Sequence, residues 1–412
     1  MSQAPRLRTD IEAFPVEQDG QRLVGVRDPA GYTSSVVLFP SPLVAIVSLF
    51  DGRRSIVEIQ AELMRRHGEL VRGEHIEQII ASLDEHGFLD SPRFAERRHA
   101  VDLAFLTSPA RPAAHAGGAY AADPEELRRA MDGFFTAPGG PGAPAVERSE
   151  IRRPGRVPRG LIAPHIDFHR GGPAYAWAYR DLVERSDADC FVIFGTCHAG
   201  IRDPFVLTRK DYATPLGPGA ADHDLIEGLA ARARQDCFAS ELAHRGEHSI
   251  EFQVVFLRYL FGGRREFTIV PVLASFAHEA LARGEGPEDD PRVPRFLDAL
   301  AETMATSGRK VVLIAGADLA HVGPRFGDPT PIAAAELQRL AREDRAMLAT
   351  VEAGDAPGFF RSIAADQDRR RICGFSPIYA LLRTLGNSRG EVKHYGQWPD
   401  PQAVVTFASV VF

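Results

Sequence analysis

Cysteine is scarce in this sequence, with four in 412 residues. So few thiols cannot make the disulfide framework of a small secreted scaffold, and reduced cysteines are expected. No apolar run reaches the roughly 20 residues needed to span a bilayer, and MSQAPRLRTD at the start lacks the hydrophobic core of an export signal. The cytoplasm is the compartment these absences predict. Basic charge is lacking as well: 48 Lys and Arg stand against 55 Asp and Glu, a net charge of −7, which argues against a general nucleic-acid binder. No segment repeats at a fixed period, so a solenoid or propeller is not expected. What is present is 44% hydrophobic and 25% charged residues, the balance of a globular protein, over a length that predicts two domains.

Residues 1–93 read as a small separate domain. Val36–Phe39 is a short β-branched run broken by Pro40 and Pro42, and Leu43–Phe50 then carries apolar residues at helical spacing. Ser55 with Glu58 three residues on predicts a capping box, opening a helix that runs to about His67. A second helix, Glu74–His86, aligns Ile76, Ile79, Ile80 and Leu83. Gly87 ends it, and Phe88–Leu89 begins a short strand. Helices followed by a short strand make a winged-helix pattern. The second helix is acidic, which opposes phosphate binding, so this module is expected to dock a peptide or protein and not DNA. Residues 94–112 read as a linker. The Pro-, Gly- and Ala-rich stretch APGGPGAPAVE, residues 137–147, reads as a flexible loop.

From 113 to 412 short apolar runs alternate with helical patterns, which predicts a three-layer α/β/α domain around a largely buried sheet. Three of its strands end in chemistry. Leu161–Ala163 stops at Pro164 and leads to His165, Asp167 and His169; Cys190–Phe194 leads through Gly195 to Cys197 and His198; Val311–Ala315 leads through Gly316 to Asp318 and His321. A fourth segment, ICGFSPIYALL, opens a helix behind Cys373. Ligands bind at the carboxyl ends of strands in open α/β sheets. Imidazole with thiolate suits zinc, copper or iron, whereas magnesium and calcium prefer oxygen. Asp318 and His321, three residues apart in a tight loop or first helical turn, are expected on one side, where the carboxylate would orient an acid–base imidazole. Glu247, His248 and Glu251 precede the apolar helix Phe252–Leu260. Glu247 and His248 read as a pocket wall that orients substrate or a ligand imidazole, or the whole segment reads as a helix start with acidic residues at its positive end.

The pieces AGGAYAADPEEL, LIAPHIDFHRGG, VIFGTCHAG, EHSIEFQVVFL, TIVPVL, ADLAHVG and RRICGFSPIYALL resemble the Memo family in wording and order. That family has the fold of the class III extradiol ring-cleaving dioxygenases, with a cysteine in place of their glutamate ligand. The resemblance implies a metal site of His165, His198 and Cys373 holding iron or copper, an acid–base pair of Asp318 and His321, and Glu247, His248 and His169 around the substrate. The sequence departs from the family where a second histidine often follows the Gly-x-x-His loop, here Ala199, and where an aromatic often follows the first histidine, here His169. The stretch LFDGRRSIVEIQAELMRRHG with IEQIIASLDEHGFLD resembles the PqqD-like winged-helix modules. The two together look like the B component of the AmmeMemoRadiSam system. Partners implied by that likeness are a radical SAM protein and an AMMECR1-like protein, and the function implied is a metal-dependent redox protein acting on a peptide or protein. Two alternatives are a non-catalytic adaptor with a structural or vestigial metal site, and a ring-cleaving dioxygenase of a small catechol. Against the last stands Cys373, whose thiolate is readily oxidised.

Overall fold

The structure is a computed structural model and describes residues 4–68, 70–145, 155–400 and 402–412. It divides into two compact units, Met1–Thr107 and Ser108–Phe412. Residues 146 and 147 of the expected flexible loop lie outside the described residues.

In the first unit the strands Glu12–Gln18, Gln21–Arg27 and Val37–Pro40 form an antiparallel sheet. Its first hairpin turns at Asp19 and Gly20, both at positive φ, the backbone that a two-residue turn between twisted strands requires. The helices Ser41–Val47, Ile56–His67 and Gly73–Glu85 follow. Ser55 and Glu58 make the reciprocal capping box at the start of the middle one. Ile59, Leu63, Ile76, Ile79 and Leu83 meet Phe88 and Leu89 in a single core, so the apolar spacing read from the sequence faces inward. Leu89–Asp90 pairs antiparallel with Arg6–Leu7. The stretch expected as a linker is structured instead. Helix Pro92–Thr107 fills most of 94–112, and a short strand, Ala110–Arg111, follows it. Pro92 enters behind Ser91, whose hydroxyl accepts the Phe94 N–H at 3.2 Å, and Phe94 and Phe105 are buried. That pair supplies the buried aromatic anchors of this charged helix.

The second unit is built on a nine-stranded mixed sheet. In chain order its strands are β1 Gly160–Ala163, β2 Cys190–Thr196, β3 Phe205–Leu207, β4 Ala220–Ala221, β5 Thr268–Ala274, β6 Val311–Gly316, β7 Asp318–Val322, β8 Glu391–Asp400 and β9 Ala403–Val411. The spatial order is β4-β5-β2-β6-β1-β9-β7, with β3 also on β5 and β8 along β9. Strands β5, β2, β6 and β1 run parallel, and all residues of β1 and β2 are buried. Such strands are covered on both faces and read as unbroken apolar runs. Their side chains alternate between two cores. Leu161, Ala163, Phe191, Ile193, Val312 and Ile314 pack with the helices Pro124–Thr136, α1 (Phe168–Arg185) and α2 (His248–Phe261). Ile162, Val192, Phe194, Leu313 and Ala315 pack on the other face with His223–Ala233, Arg292–Thr306, Ala334–Glu352 and α3 (Phe375–Leu385). The architecture is the three-layer α/β/α sandwich expected from the alternation. No helix among the described residues is long and apolar enough to cross a membrane.

Candidate metal centre

Register brings the site together. Gly316 at the end of β6 pairs with Ala163 on one side and Gly195 on the other, so three parallel strands stop at one level. His165 and His198 follow two of these ends directly. The third imidazole comes from α2, whose first residue is His248. Two glycines let that helix approach. A Cβ on Gly195 would lie 2.5 Å from Ile250 Cγ1, and one on Gly316 would lie 2.4 Å from the Ser249 carbonyl oxygen. Polar contacts then lock the approach: Ser249 Oγ donates to the Thr196 carbonyl at 2.9 Å, and Gln253 Nε2 donates to that of Pro164 at 2.8 Å. Cys373 arrives just before α3. Its N–H bonds the Leu319 carbonyl at 3.0 Å, and the Gly374 N–H bonds that of Asp318 at 2.8 Å.

One nitrogen each of His165, His198 and His248 lies within 4.8 Å of the other two, an arrangement that could hold a metal ion. Hydrogen bonds fix two of the tautomers. His165 Nδ1 lies 2.9 Å from the Gly316 carbonyl oxygen, which can only accept, so Nδ1 carries the proton. His198 Nδ1 lies 3.0 Å from the Glu247 carboxylate and likewise donates. Both Nε2 atoms then face the cluster and, in the neutral rings that a metal would require, turn their lone pairs to it, the orientation that metal-bound histidines take from an outer carboxylate or carbonyl. Cys373 Sγ sits between them, 3.3 Å from His165 Nε2 and 3.2 Å from His198 Nε2.

The charges are strongly coupled. Burial pushes the Cys373 thiol up, but His165 and His198 outweigh it and bring the pKa down to about 5. Burial lowers His165, yet Asp318 and the Cys373 thiolate carry it up to about 9. His198 is raised well above its ordinary value by Glu247 and Cys373 against the burial penalty. His248 goes the other way: burial and the two neighbouring imidazoles hold it neutral in spite of Glu247. Glu247 stays ionised despite its burial because His198 is beside it, and its pKa falls well below the usual carboxylate range. Without a metal the cluster is thus a thiolate flanked by cationic rings, with a carboxylate behind.

A second layer of buried polar groups, of which the sequence reading named only Glu251, holds the start of α2. Glu251 and Arg111 form an ion pair with no exposed surface on either side chain. Arg111 also donates to the carbonyls of His244 at 2.9 Å and Glu247 at 2.7 Å, and Glu251 accepts the Tyr120 hydroxyl and the His115 N–H. The one signal for it in the sequence was a glutamate inside the otherwise apolar EFQVVFL helix.

The expected site residues divide as follows. His165, His198 and Cys373 come together, and His248, read as pocket wall, joins them as the third imidazole. Glu247 backs His198. Asp318 is present through its carboxylate, which accepts the N–H groups of His165 at 2.9 Å and Ile166 at 3.2 Å. His321 is not beside it. Residues 318–322 form a strand and not a helical turn, with a register shift between the two. The shift lets Asp318 and His321 pair with Phe407 and Val405, two residues apart on β9, so both face the same side as the spacing predicts, but the His321 ring lies edge-on to Phe326, centroids 5.1 Å apart, with its Nδ1 at the Leu319 carbonyl. His169 sits in the first turn of α1 with its side chain 66% exposed, clear of the cluster.

A family model described as Memo-like protein matches residues 111–411. A MEMO1 family protein of Aquifex aeolicus is 28% identical over 411 residues, 98% of this chain and 100% of its own, so that similarity takes in the first unit too. One from Methanosarcina acetivorans is 30% identical over 64% of this chain and 89% of its own. One from Thermus thermophilus is 26% identical over 82% and 92%. With the family model spanning nearly all of the unit that carries the imidazole cluster, the chain belongs to the Memo family.

Proposed function

We propose that this protein is a metal-dependent redox protein that holds one iron or copper ion at His165, His198 and His248, with the Cys373 thiolate completing the donor set. The observation that carries the reading is the pair of Nδ1 anchors, at the Gly316 carbonyl and the Glu247 carboxylate, which turns both Nε2 atoms toward the Cys373 sulfur. Three imidazoles and a thiolate fit iron, copper or zinc and not magnesium or calcium. Of the fitting ions, iron and copper supply one-electron chemistry. Around such an ion His165 and His198 would be oriented by Gly316 and Glu247, Asp318 would keep the His165 backbone in place, and His248 would stay neutral.

The substrate proposed is a peptide or protein docked by the first unit, in concert with a radical SAM protein and an AMMECR1-like protein. Family resemblance supports this assembly, and co-expression followed by size-exclusion chromatography tests it. Metal content of tag-free protein, grown with iron, copper and zinc all supplied, tests the centre. His165→Ala and His198→Ala should each lose most of the metal with an unchanged far-UV spectrum, and Cys373→Ser should shift the metal preference or its redox potential. Wild-type metal content in both histidine variants would defeat the assignment.

A further inference from the structure

A separate cavity of about 340 Å³ opens beside the first turn of α1. Its lining includes Arg170, Arg325, Phe326, Trp398, Asp400 and Val405, and none of the clustered imidazoles nor Cys373 takes part. Its volume falls at the small end of ligand sites. The charges in it are only half used. Asp167 is taken by Arg170, whose Nη2 lies 2.6 Å away, while the Nε of Arg170 is buried without a hydrogen-bond partner. The backbone N–H of Arg325 bonds the Gln402 carbonyl at 2.9 Å, which brings Arg325 beside the end of β8. Yet among the described residues neither its guanidinium nor the Asp400 carboxylate has an oppositely charged side chain within 4.0 Å. Trp398, 39% exposed, and Phe326 add aromatic surface, and Ala403 and Val405 are a buried aliphatic floor.

We infer that this cavity binds a free α-amino acid with a planar side chain. The carboxylate of the ligand meets the Arg325 guanidinium, its ammonium meets Asp400, and its ring lies against Trp398 and Phe326. An anion alone would leave Asp400 facing it unpaired, and a cation alone would leave the Arg325 guanidinium unused. A zwitterion satisfies both ends, and guanidinium–carboxylate contacts are among the stronger hydrogen bonds available. The inference is independent of the metal reading, because the two sets of lining residues do not overlap.

Trp398 supplies the readout. The chain has two tryptophans, and the other, Trp177, donates its indole N–H to the Gly139 carbonyl and does not line the cavity. In a Trp177→Phe background, emission is followed against L-phenylalanine, 3-phenylpropionate and 2-phenylethylamine at fixed ionic strength. L-phenylalanine should saturate, and each truncated analogue should bind roughly tenfold or more weakly, the loss expected for one charge-assisted hydrogen bond. Arg325→Gln should weaken L-phenylalanine by a similar factor and leave the amine unchanged. Asp400→Asn, which keeps the acceptor for the Gln402 N–H, should do the converse with the carboxylate analogue. Both positions are exposed, so the variants should melt with the parent. The double variant His165→Ala/His198→Ala should bind as the parent does. No saturation by L-phenylalanine, equal binding of all three probes, or loss of binding in the double histidine variant would each overturn the assignment.

Discussion

Replacing Glu251 by Gln isolates the buried charge behind the metal centre. The amide keeps the length of the side chain and an oxygen for the Tyr120 hydroxyl and the His115 N–H. It removes the negative charge and puts an amide NH2 where Oε2 accepted from Arg111. Arg111 has no exposed surface and is held in place by its bonds to the carbonyls of His244, Pro112 and Glu247, so it cannot swing out to water. A buried ion left without its partner costs about 3–5 kcal/mol. At roughly 2–4 °C per kcal/mol for domains approaching this size, the melting temperature should fall by about 10 °C. Removing the neutral contact alone, in Tyr120→Phe, should cost only about 1 kcal/mol. The effect should reach the metal as well, since Arg111 Nη2 holds the Glu247 carbonyl and the Glu247 carboxylate orients His198. Denaturation monitored by circular dichroism gives the first number, and metal retention during graded chelation gives the second. If Glu251→Gln lies within 1 kcal/mol of the parent, the ion pair does not carry the stability assigned to it here.

Other consequences can be measured directly. His244 is fully buried, its Nε2 faces the Val206 carbonyl, and its Nδ1 accepts the Tyr212 hydroxyl at 2.8 Å. Burial pushes its pKa down to about 3, so the unfolded chain takes up this proton near pH 6.5 and the folded one does not. The associated stability is complete above that pH and is lost as pH falls towards about 3, at about 1.4 kcal/mol per pH unit. His244→Asn should flatten that part of the stability profile, and an unchanged slope would count against it. Gly316→Ala places a methyl 2.4 Å from the Ser249 carbonyl oxygen. The start of α2 must then shift, at about 1–3 kcal/mol, and His248 with it, so metal retention should drop together with the melting temperature. A variant that melts like the parent would show that the close approach is not needed.

Much of this is legible in the sequence alone. The parallel strands announced themselves because burial on both faces removes polar residues, and Cys190–Phe194 and Val311–Ala315 are unbroken apolar runs. The capping box at Ser55 was equally plain, being a local arrangement of two side chains and two N–H groups. What escaped depends on distant partners. Residues 318–322 spell DLAHV, too polar for a buried strand by pattern, and they form one because β9 pairs along them and Asp318 serves as acceptor for the backbone of His165. His248 reads as pocket wall or helix start, and not as a third imidazole, because two glycines on neighbouring strands are what allow that helix to touch the sheet. Arg111, 140 residues from Glu251, offered no local sign of its partner.

The Cys373 sulfur meets His165 across 208 residues of chain and His198 across 175. Contacts of such long separation form late in folding, after the loops between them have closed. The donor set therefore does not exist in any fragment that ends before α3, nor in a collapsed intermediate whose helices are formed but whose strands are out of register. A chelatable thiolate appears only when β1, β2 and β6 have aligned and the segment before α3 has docked. If the proposed metal reading holds, metal capture would be a chemical record that folding has finished, since an immature chain would offer a stray ion nothing better than scattered histidines.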